Sequence, residues 1–290
     1  MTFTQDTAPN LNDFDWIVIS SSGGKDSQAM LDLLSGLADQ AGVSDRVVVV
    51  HADLGRVEWT GTLDLAREQA EHYGHRFEVV ARDEDLLDHV RSRGFWPSAK
   101  ERYCTSDHKR GQVWKLFTRL ANETHGNARG KVDRPCRILD CQGLRIEESA
   151  GRGKRLRQIA AENGGHWTQS RATNGRREVV SFYPIATWTE TDVWERIRTS
   201  GVRYHEAYDL GMARLSCAFC IFGTRDDLLI AGEHNRQLLD AYVEVEREID
   251  HKFTLRLPIV EIRDALDRGE RGRPHAGSPC STCSGCSAAA

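Results

Sequence analysis

Apolar positions along the chain follow two periods. The runs Trp16-Ile17-Val18-Ile19 and Val47-Val48-Val49-Val50 do not alternate with polar residues. Runs of this kind suit parallel strands covered on both faces, because a half-exposed strand would show a period of two. Between them Ala29, Met30, Leu33, Leu34 and Leu37 recur at helical spacing. The same pattern predicts strands over 15–21, 46–52, 76–80, 136–141 and 178–183. Helices are expected from residue 26, over 59–73, 83–93 and 109–124, and after Thr189, which N-caps with Asp192 three residues on. Two more are expected at 224–233 and 235–251. Strand and helix alternate from the start, which predicts an α/β fold: a doubly wound parallel sheet with ligands at the carboxyl ends of its strands, and a smaller helical C-terminal region. In linear order the expected segments are a loose leader at 1–13, the α/β domain at 14–187, the helical region at 188–267 and a Cys-rich tail at 268–290. That tail is expected to be disordered unless a metal organises it. The stretch His166-Trp167-Thr168-Gln169-Ser170-Arg171-Ala172-Thr173-Asn174-Gly175-Arg176-Arg177-Glu178 is expected to be a loop.

Composition narrows the partners. The 290 residues carry a net charge of −4, so no global basic field draws the chain to nucleic acid or membrane, and any polyanion contact is local. No apolar run approaches the roughly 20 residues of a membrane helix. The polar, acidic start is not signal-like, so a cytoplasmic location is expected. Eight cysteines in that compartment point to metal or sulfur chemistry rather than a disulfide framework.

The stretch Ser20-Ser21-Ser22-Gly23-Gly24-Lys25-Asp26-Ser27 stands between the first strand and the first helix. Two glycines let backbone N–H groups converge on an oxyanion, and the helix start adds its positive dipole end. Lys25 supplies a point charge, and Ser22 and Ser27 offer hydroxyl donors. The plain alternative is a Gly-Gly turn entering an amphipathic helix. His51 and Asp53 fall at the end of the second strand, on the same expected edge; a packed histidine and a turn aspartate are the plain alternatives there. Further along, Gly143 permits a close turn, and Arg145 is a residue type that forks onto phosphate oxygens. Arg102, His108, Lys109 and Arg110 surround Cys104 with groups expected to lower its pKa. Cys217 and Cys220, two residues apart, place two sulfurs within reach of one metal. Residues 151–177 gather Arg152, Lys154, Arg155, Arg157, Arg171, Arg176 and Arg177 around Trp167, a solvated face or an anion-binding patch.

Ser-Gly-Gly-Lys-Asp-Ser resembles the loop of the PP-loop ATP pyrophosphatases, of adenine nucleotide alpha hydrolase-like fold. The order of further motifs is similar to the phosphoadenylyl-sulfate (PAPS) reductase-like branch: Arg102 to Lys109 around Cys104, Gly143-Leu144-Arg145-Ile146-Glu147-Glu148-Ser149, Pro184-Ile185 through Trp194, and Cys217 with Cys220. The resemblance implies ATP and Mg²⁺ at Ser20, Ser22, Gly23, Gly24, Lys25, Asp26 and Ser27, with His51, Asp53, Gly143 and Arg145 completing the nucleotide site. It implies Lys25, Asp26 and Arg145 as catalytic groups. It also implies that Cys104 joins Cys217 and Cys220 on a [4Fe-4S] cluster whose fourth ligand is open. Cys136, Cys141 and one arm of the run Cys280, Cys283 and Cys286 are candidates for it; that run is otherwise a zinc or second-cluster site, or a mobile thiol arm for sulfur transfer. Within the branch, the DNA phosphorothioation sulfurtransferases are nearest in style. They imply adenylation of a nucleic acid, pyrophosphate release, and sulfur from a cysteine desulfurase or other donor; a homo-oligomer is a further expectation. A tRNA-thiolating enzyme is one alternative. A reductase of adenylyl sulfate or phosphoadenylyl sulfate is the other, and its Glu-Cys-Gly-Leu-His motif does not occur here.

Overall fold

A computed structural model describes residues 8–126 and 130–275. Strands are β1 (Trp16–Ser21), β2 (Val47–Asp53), β3 (Arg76–Ala81), β4 (Cys136–Cys141), β5 (Trp167–Gln169) and β6 (Arg177–Phe182). Helices are α1 (Lys25–Ala41), α2 (Thr62–His72), α3 (Leu86–Arg93), α4 (Tyr103–Thr105), α5 (Gly111–Thr124), α6 (Ala150–Asn163), α7 (Glu190–Ser200), α8 (Arg225–His234), α9 (Arg236–Glu248) and α10 (Ile259–Asp267). They form two compact units. The first comprises the described residues through Ala52, Leu63–Val80 and Val113–Tyr204. The second comprises Asp53–Thr62, Ala81–Gln112 and the described residues from His205 onward. Each unit is discontinuous in sequence, so neither follows the linear boundaries 14–187 and 188–267.

The first unit holds the sheet, in the order β3-β2-β1-β4-β6-β5. β1 pairs in parallel with β2 and β4, β4 pairs in parallel with β6, and β5 runs antiparallel to β6. Successive residues of β1 serve opposite faces. Ile17 and Ile19 pack with Met30, Leu31 and Leu34 of α1, whereas Val18 packs with Leu116, Phe117 and Leu120 of α5. Both faces are therefore dry, which explains the unbroken apolar runs. Burying each Leu or Phe adds about 2–3 kcal/mol of hydrophobic stabilisation. The strand order reverses direction between β1 and β4, so the segments after these strands share the switch point where α/β sheets bind ligands.

Two expectations change here. The loop expected around Trp167 contains β5, whose Trp167, Thr168 and Gln169 sit opposite Phe182, Ser181 and Val180. In place of a loose leader, residues 10–13 form a turn capped by the Asn10 side chain, and Leu11 and Phe14 enter the core. Residues 1–7 lie outside the described residues.

The second unit is helical. Trp96, Phe219, Tyr242 and Phe253 form its aromatic centre, with Trp96 and Tyr242 stacked at 5.2 Å between centroids. Glu246 of α9, 8% exposed, accepts the backbone N–H groups of Phe253, Ile259 and Val260 at 2.6, 2.9 and 3.2 Å. A carboxylate thus caps the N-terminus of α10, where its charge is favoured by the helix dipole. Residues 268–275 are ordered against the same unit, contrary to the expected disorder. Arg273 N donates to Asp226 Oδ1 at 3.1 Å and His275 N to Gly211 O at 2.9 Å. At Gly272 a Cβ would come within 2.4 Å of Asp226 O, so only glycine fits. The tail cysteines Cys280, Cys283 and Cys286 lie outside the described residues. Among the described residues no helix is long and apolar enough to cross a membrane.

Candidate functional site

β1 ends at Ser21, and Ser22, Gly23 and Gly24 turn the chain into α1. Gly23 has φ +68°, the left-handed region that a side chain would disfavour. The turn is closed internally. Ser27 Oγ donates to Gly24 O at 2.8 Å and accepts from Ser22 N at 3.1 Å, and Gly23 N donates to Ser21 Oγ at 3.3 Å. Ser27 is therefore a brace for the loop, while Ser22 is exposed at its tip. No side chain caps α1 at Gly24. Its first N–H groups have no intrahelical acceptor, which leaves a concentration of donors and positive dipole at the switch point. Ser20 lies within β1, opposite Val50.

Lys25 and Arg145 are both buried, 3% and 4% exposed. Arg145 Nε donates to Asp26 Oδ1 at 2.5 Å and its Nη1 to Glu147 Oε2 at 3.0 Å and Trp188 O at 3.3 Å. Lys25 Nζ lies 3.3 Å from Glu190 Oε1 and 3.9 Å from Asp26 Oδ2. The fork expected to grip phosphate thus holds carboxylates on two sides, and Nη2 is the nitrogen without a protein partner among the described residues. Glu148 steadies the segment through its backbone, accepting Arg145 N at 2.7 Å, and pairs with Arg152. Gly143 brings β4's exit onto α1: a Cβ there would lie 3.0 Å from Asp26 O and 3.3 Å from Ser27 N. Its lack of a side chain sets the approach of two backbones at the loop.

The carboxylates beside this loop are committed to cations: Asp26 and Glu147 to Arg145, Glu148 to Arg152, Glu190 to Lys25. They do not present a free oxygen cage for Mg²⁺, which in any case usually takes substrate phosphates and waters with one or two carboxylates. His51, 1% exposed, donates from Nδ1 to Ser21 O at 3.1 Å, tying β2 to the last residue of β1. Asp53 Oδ1 accepts Gly55 N at 2.8 Å, a turn aspartate whose glycine has φ +74°.

One group at this edge carried no signal in the sequence. Asp140 of β4 lies between Val18 and Ser181 in register and is 4% exposed. Its Oδ2 accepts Gln142 Nε2 at 2.7 Å and Ser181 Oγ at 3.3 Å, while Oδ1 is buried without a partner. Burial pushes its pKa up to about 6, against the lowering effect of those two hydrogen bonds. A charged residue inside an apolar strand run looks like a strand end until the partner strands are known.

The second unit gathers three thiols. Cys217 is pinned by a β-bridge with Glu58, and Ala218 N donates to Val57 O at 2.9 Å. Cys104, Cys217 and Cys220 stand close enough that negative charge on Cys220 raises the other two, and charge on Cys104 raises Cys217. Burial dominates, pushing Cys104 above the usual thiol range and Cys217 up to about 12. Lys109 and Arg102 act in the expected lowering direction and are outweighed. His108 contributes no positive charge at neutral pH, because burial first and His89 second hold its pKa down to about 4. Its Nε2 shares a 2.8 Å hydrogen bond with His89 Nδ1.

Cys136 and Cys141 are core residues of the first unit. Both are fully buried, burial raises both thiols, and Cys136 Sγ lies 3.3 Å from Thr124 Oγ1. The basic stretch is partly structural as well. Arg177, 8% exposed, donates from Nε to Ala172 O at 2.8 Å and also reaches Thr118, and Arg176 holds Gly130 O at 2.6 Å. Trp167 packs on the sheet's core.

Comparison with known proteins bears on this arrangement. A family model described as the phosphoadenosine phosphosulfate reductase domain matches residues 16–222, from β1 through the Cys-x-x-Cys turn. The chain belongs to this reductase-domain family. No curated protein matches the sequence. Solved structures with a similar fold include the phosphoadenylyl-sulfate reductase of Candida auris in a phosphate complex, with 15% identity, 71% of this chain and 83% of that one covered, and a TM-score of 0.43. The U34-tRNA thiolase NcsA of Methanococcus maripaludis, with its [4Fe-4S] cluster, gives 15%, 93%, 76% and 0.45. FMN adenylyltransferase of Candida glabrata, in complex with FAD and pyrophosphate, gives 15%, 69%, 54% and 0.41, so this chain spans about half of its length.

The family match includes all three thiols of the second unit. As soft donors from two segments, Cys104, Cys217 and Cys220 fit three of the four positions usual for an iron–sulfur cluster. Among the described residues of that unit no fourth cysteine joins them. If they are ligands, Cys104→Ser or Cys217→Ser protein purified without oxygen contains a small fraction of the wild-type iron and sulfide, whereas Cys136→Ser retains them. Equal iron in all three variants would remove the thiol trio as the holding site.

Proposed function

We propose that the chain is an ATP pyrophosphatase that adenylates a nucleic-acid acceptor for sulfur insertion, with DNA phosphorothioation the favoured setting. The observation that carries this reading is the Ser20–Ser27 turn: an uncapped helix start at the sheet's switch point, with buried Lys25 at its first position and Arg145 locked beside it. Ordered amide donors and cations that need not reorganise are what a developing phosphoanion requires.

In the first step an acceptor oxygen attacks the α-phosphorus of ATP, the α–β bridging bond breaks, and pyrophosphate leaves with the electron pair. Lys25, the first N–H groups of α1 and Arg145 Nη2 face the negative charge. Asp26 and Glu147 hold the Arg145 fork in one orientation. In the second step the outer sulfur of a persulfide from a cysteine desulfurase attacks the adenylated acceptor and AMP departs with its oxygen. A thiol reductant then cleaves the resulting acceptor–S–S–Cys disulfide; one sulfur stays on the acceptor, and the reductant ends as the disulfide with the donor cysteine. Cys104, Cys217 and Cys220 are the side chains assigned to sulfur handling, and a cluster bound by them would supply an iron site able to hold sulfur or electrons.

The test is pyrophosphate release from ATP with single-stranded DNA, tRNA or sulfate as acceptor. Release stimulated by a nucleic acid is the expected result. Thioredoxin-dependent sulfite release from phosphoadenylyl sulfate, without ATP cleavage, would replace this reading with the reductase one.

A further inference from the structure

The second unit exposes an aromatic ring directly beside its thiols. Phe222 follows Cys220 by two residues and is 43% exposed, although the nearby Phe219 is 2% exposed. The guanidinium of Arg102, two residues before Cys104, lies 5.2 Å from the Phe222 ring centroid. Arg214 Nη2 donates to Phe222 O at 3.1 Å. The two thiol-bearing segments are therefore linked at the surface by one arginine–aromatic stack, with a second arginine holding the ring's backbone.

Cations of the unit fall into two groups. Arg56, Arg91, Arg225 and Arg236 are each paired with carboxylates. Arg102 and Arg214 are exposed and share with Arg247 and Arg256 the absence of an ion pair with a described residue. With Arg102 over one face of a ring that is 43% exposed and Arg214 at its backbone, the cluster matches the repeat of a nucleic-acid strand, in which a flat base alternates with a phosphate. It suits an unpaired base, because a base inside a duplex presents only its edge.

We propose that Phe222, with Arg102 and Arg214, is a stacking platform that holds an unpaired base of single-stranded nucleic acid beside Cys104 and Cys220, the two arginines taking the flanking phosphates. This rests on the nucleic-acid acceptor proposed above and assigns it a place on the second unit.

Fluorescence anisotropy with a labelled single-stranded oligonucleotide tests it in the full chain. Phe222→Ala is expected to weaken binding about tenfold or more, and Phe222→Trp to restore it. Arg102→Gln and Arg214→Gln should each lower the slope of log affinity against log salt by about 0.7, the value for one phosphate on a single strand, whereas Phe222→Ala leaves the slope unchanged. AMP, added as competitor, should displace the strand poorly. Complete displacement by AMP would make the platform a mononucleotide site and overturn the proposal. Unchanged binding by Phe222→Ala, with displacement by polyglutamate, would make the patch a surface for acidic proteins and overturn it equally. Wild-type protein separates this from the ATP reading. If it binds strands through Phe222 but releases no pyrophosphate, only the ATP reading falls. If it releases pyrophosphate while Phe222→Ala binds strands normally, only the platform falls.

Discussion

Asp26→Ala is expected to reduce pyrophosphate release from ATP by about 10²- to 10³-fold, the usual cost of losing one preorganised electrostatic group. It should also lower stability by about 3 kcal/mol, the low end of the range for breaking a buried pair, since Glu147 still holds the other side of the fork. Both effects have one source. Asp26 accepts Arg145 Nε at 2.5 Å, and Arg145 is 4% exposed, so removing the carboxylate leaves a buried cation half-paired and free to swing from the loop. Asp26→Asn, which keeps an acceptor without the charge, should recover part of the stability and little of the rate. Denaturant titration and a coupled pyrophosphate assay read the two quantities separately. Full ATP cleavage by Asp26→Ala would end the ATP pyrophosphatase assignment.

Asp140→Asn is expected to stabilise the protein at pH 8 by about 3 kcal/mol, with the advantage shrinking to nothing near pH 4. Burial pushes the Asp140 carboxyl up to about 6 in the folded state. The folded chain therefore binds this proton more tightly than the unfolded chain does. Wild-type stability is depressed above about pH 6, where the buried group is ionised, and is regained as pH falls from about 6 to about 4. A difference of about two pH units corresponds to about 3 kcal/mol. Asparagine removes the charge while its side-chain oxygen still accepts from Gln142. Urea unfolding of both proteins across pH 4–8 checks this. A stability difference that does not change with pH would mean that Asp140 is not ionised alone in the core.

The parts of this fold that were legible in the sequence are those set by local pattern. The valines of β2 and the Ile-Val-Ile of β1 announced a sheet covered on both faces, and Thr189 with Asp192 announced the capping box that opens α7. The Ser20–Ser27 turn was legible for the same reason, since its glycines, flanking strand and helix are contiguous. What depended on distant partners was not. β5 has three residues and, among the described residues, pairs with β6 alone, so its polar sequence looked like loop. Arg145 meets Asp26 across 119 positions, and a fork promising a phosphate ligand is instead held by carboxylates. The direction of the Cys104 shift also escaped, because neighbouring cations are visible in a sequence while the burial that outweighs them is not. Likewise residues 53–62 and 81–112 follow sheet strands in the chain yet belong with the C-terminal helices.

The two ends of the sheet bear on how the molecule avoids its own copies. β3 carries Arg76 and Glu78, which form an ion-pair network with Glu123 and Arg119 of α5. At the opposite end the three-residue β5 is too short to template a long ladder. Short or charged borders are the means by which natural sheets resist strand addition. Crowded copies of this chain are thereby denied the simplest route to ordered aggregation, and assembly through surfaces other than the sheet borders is the mode such guarding leaves open.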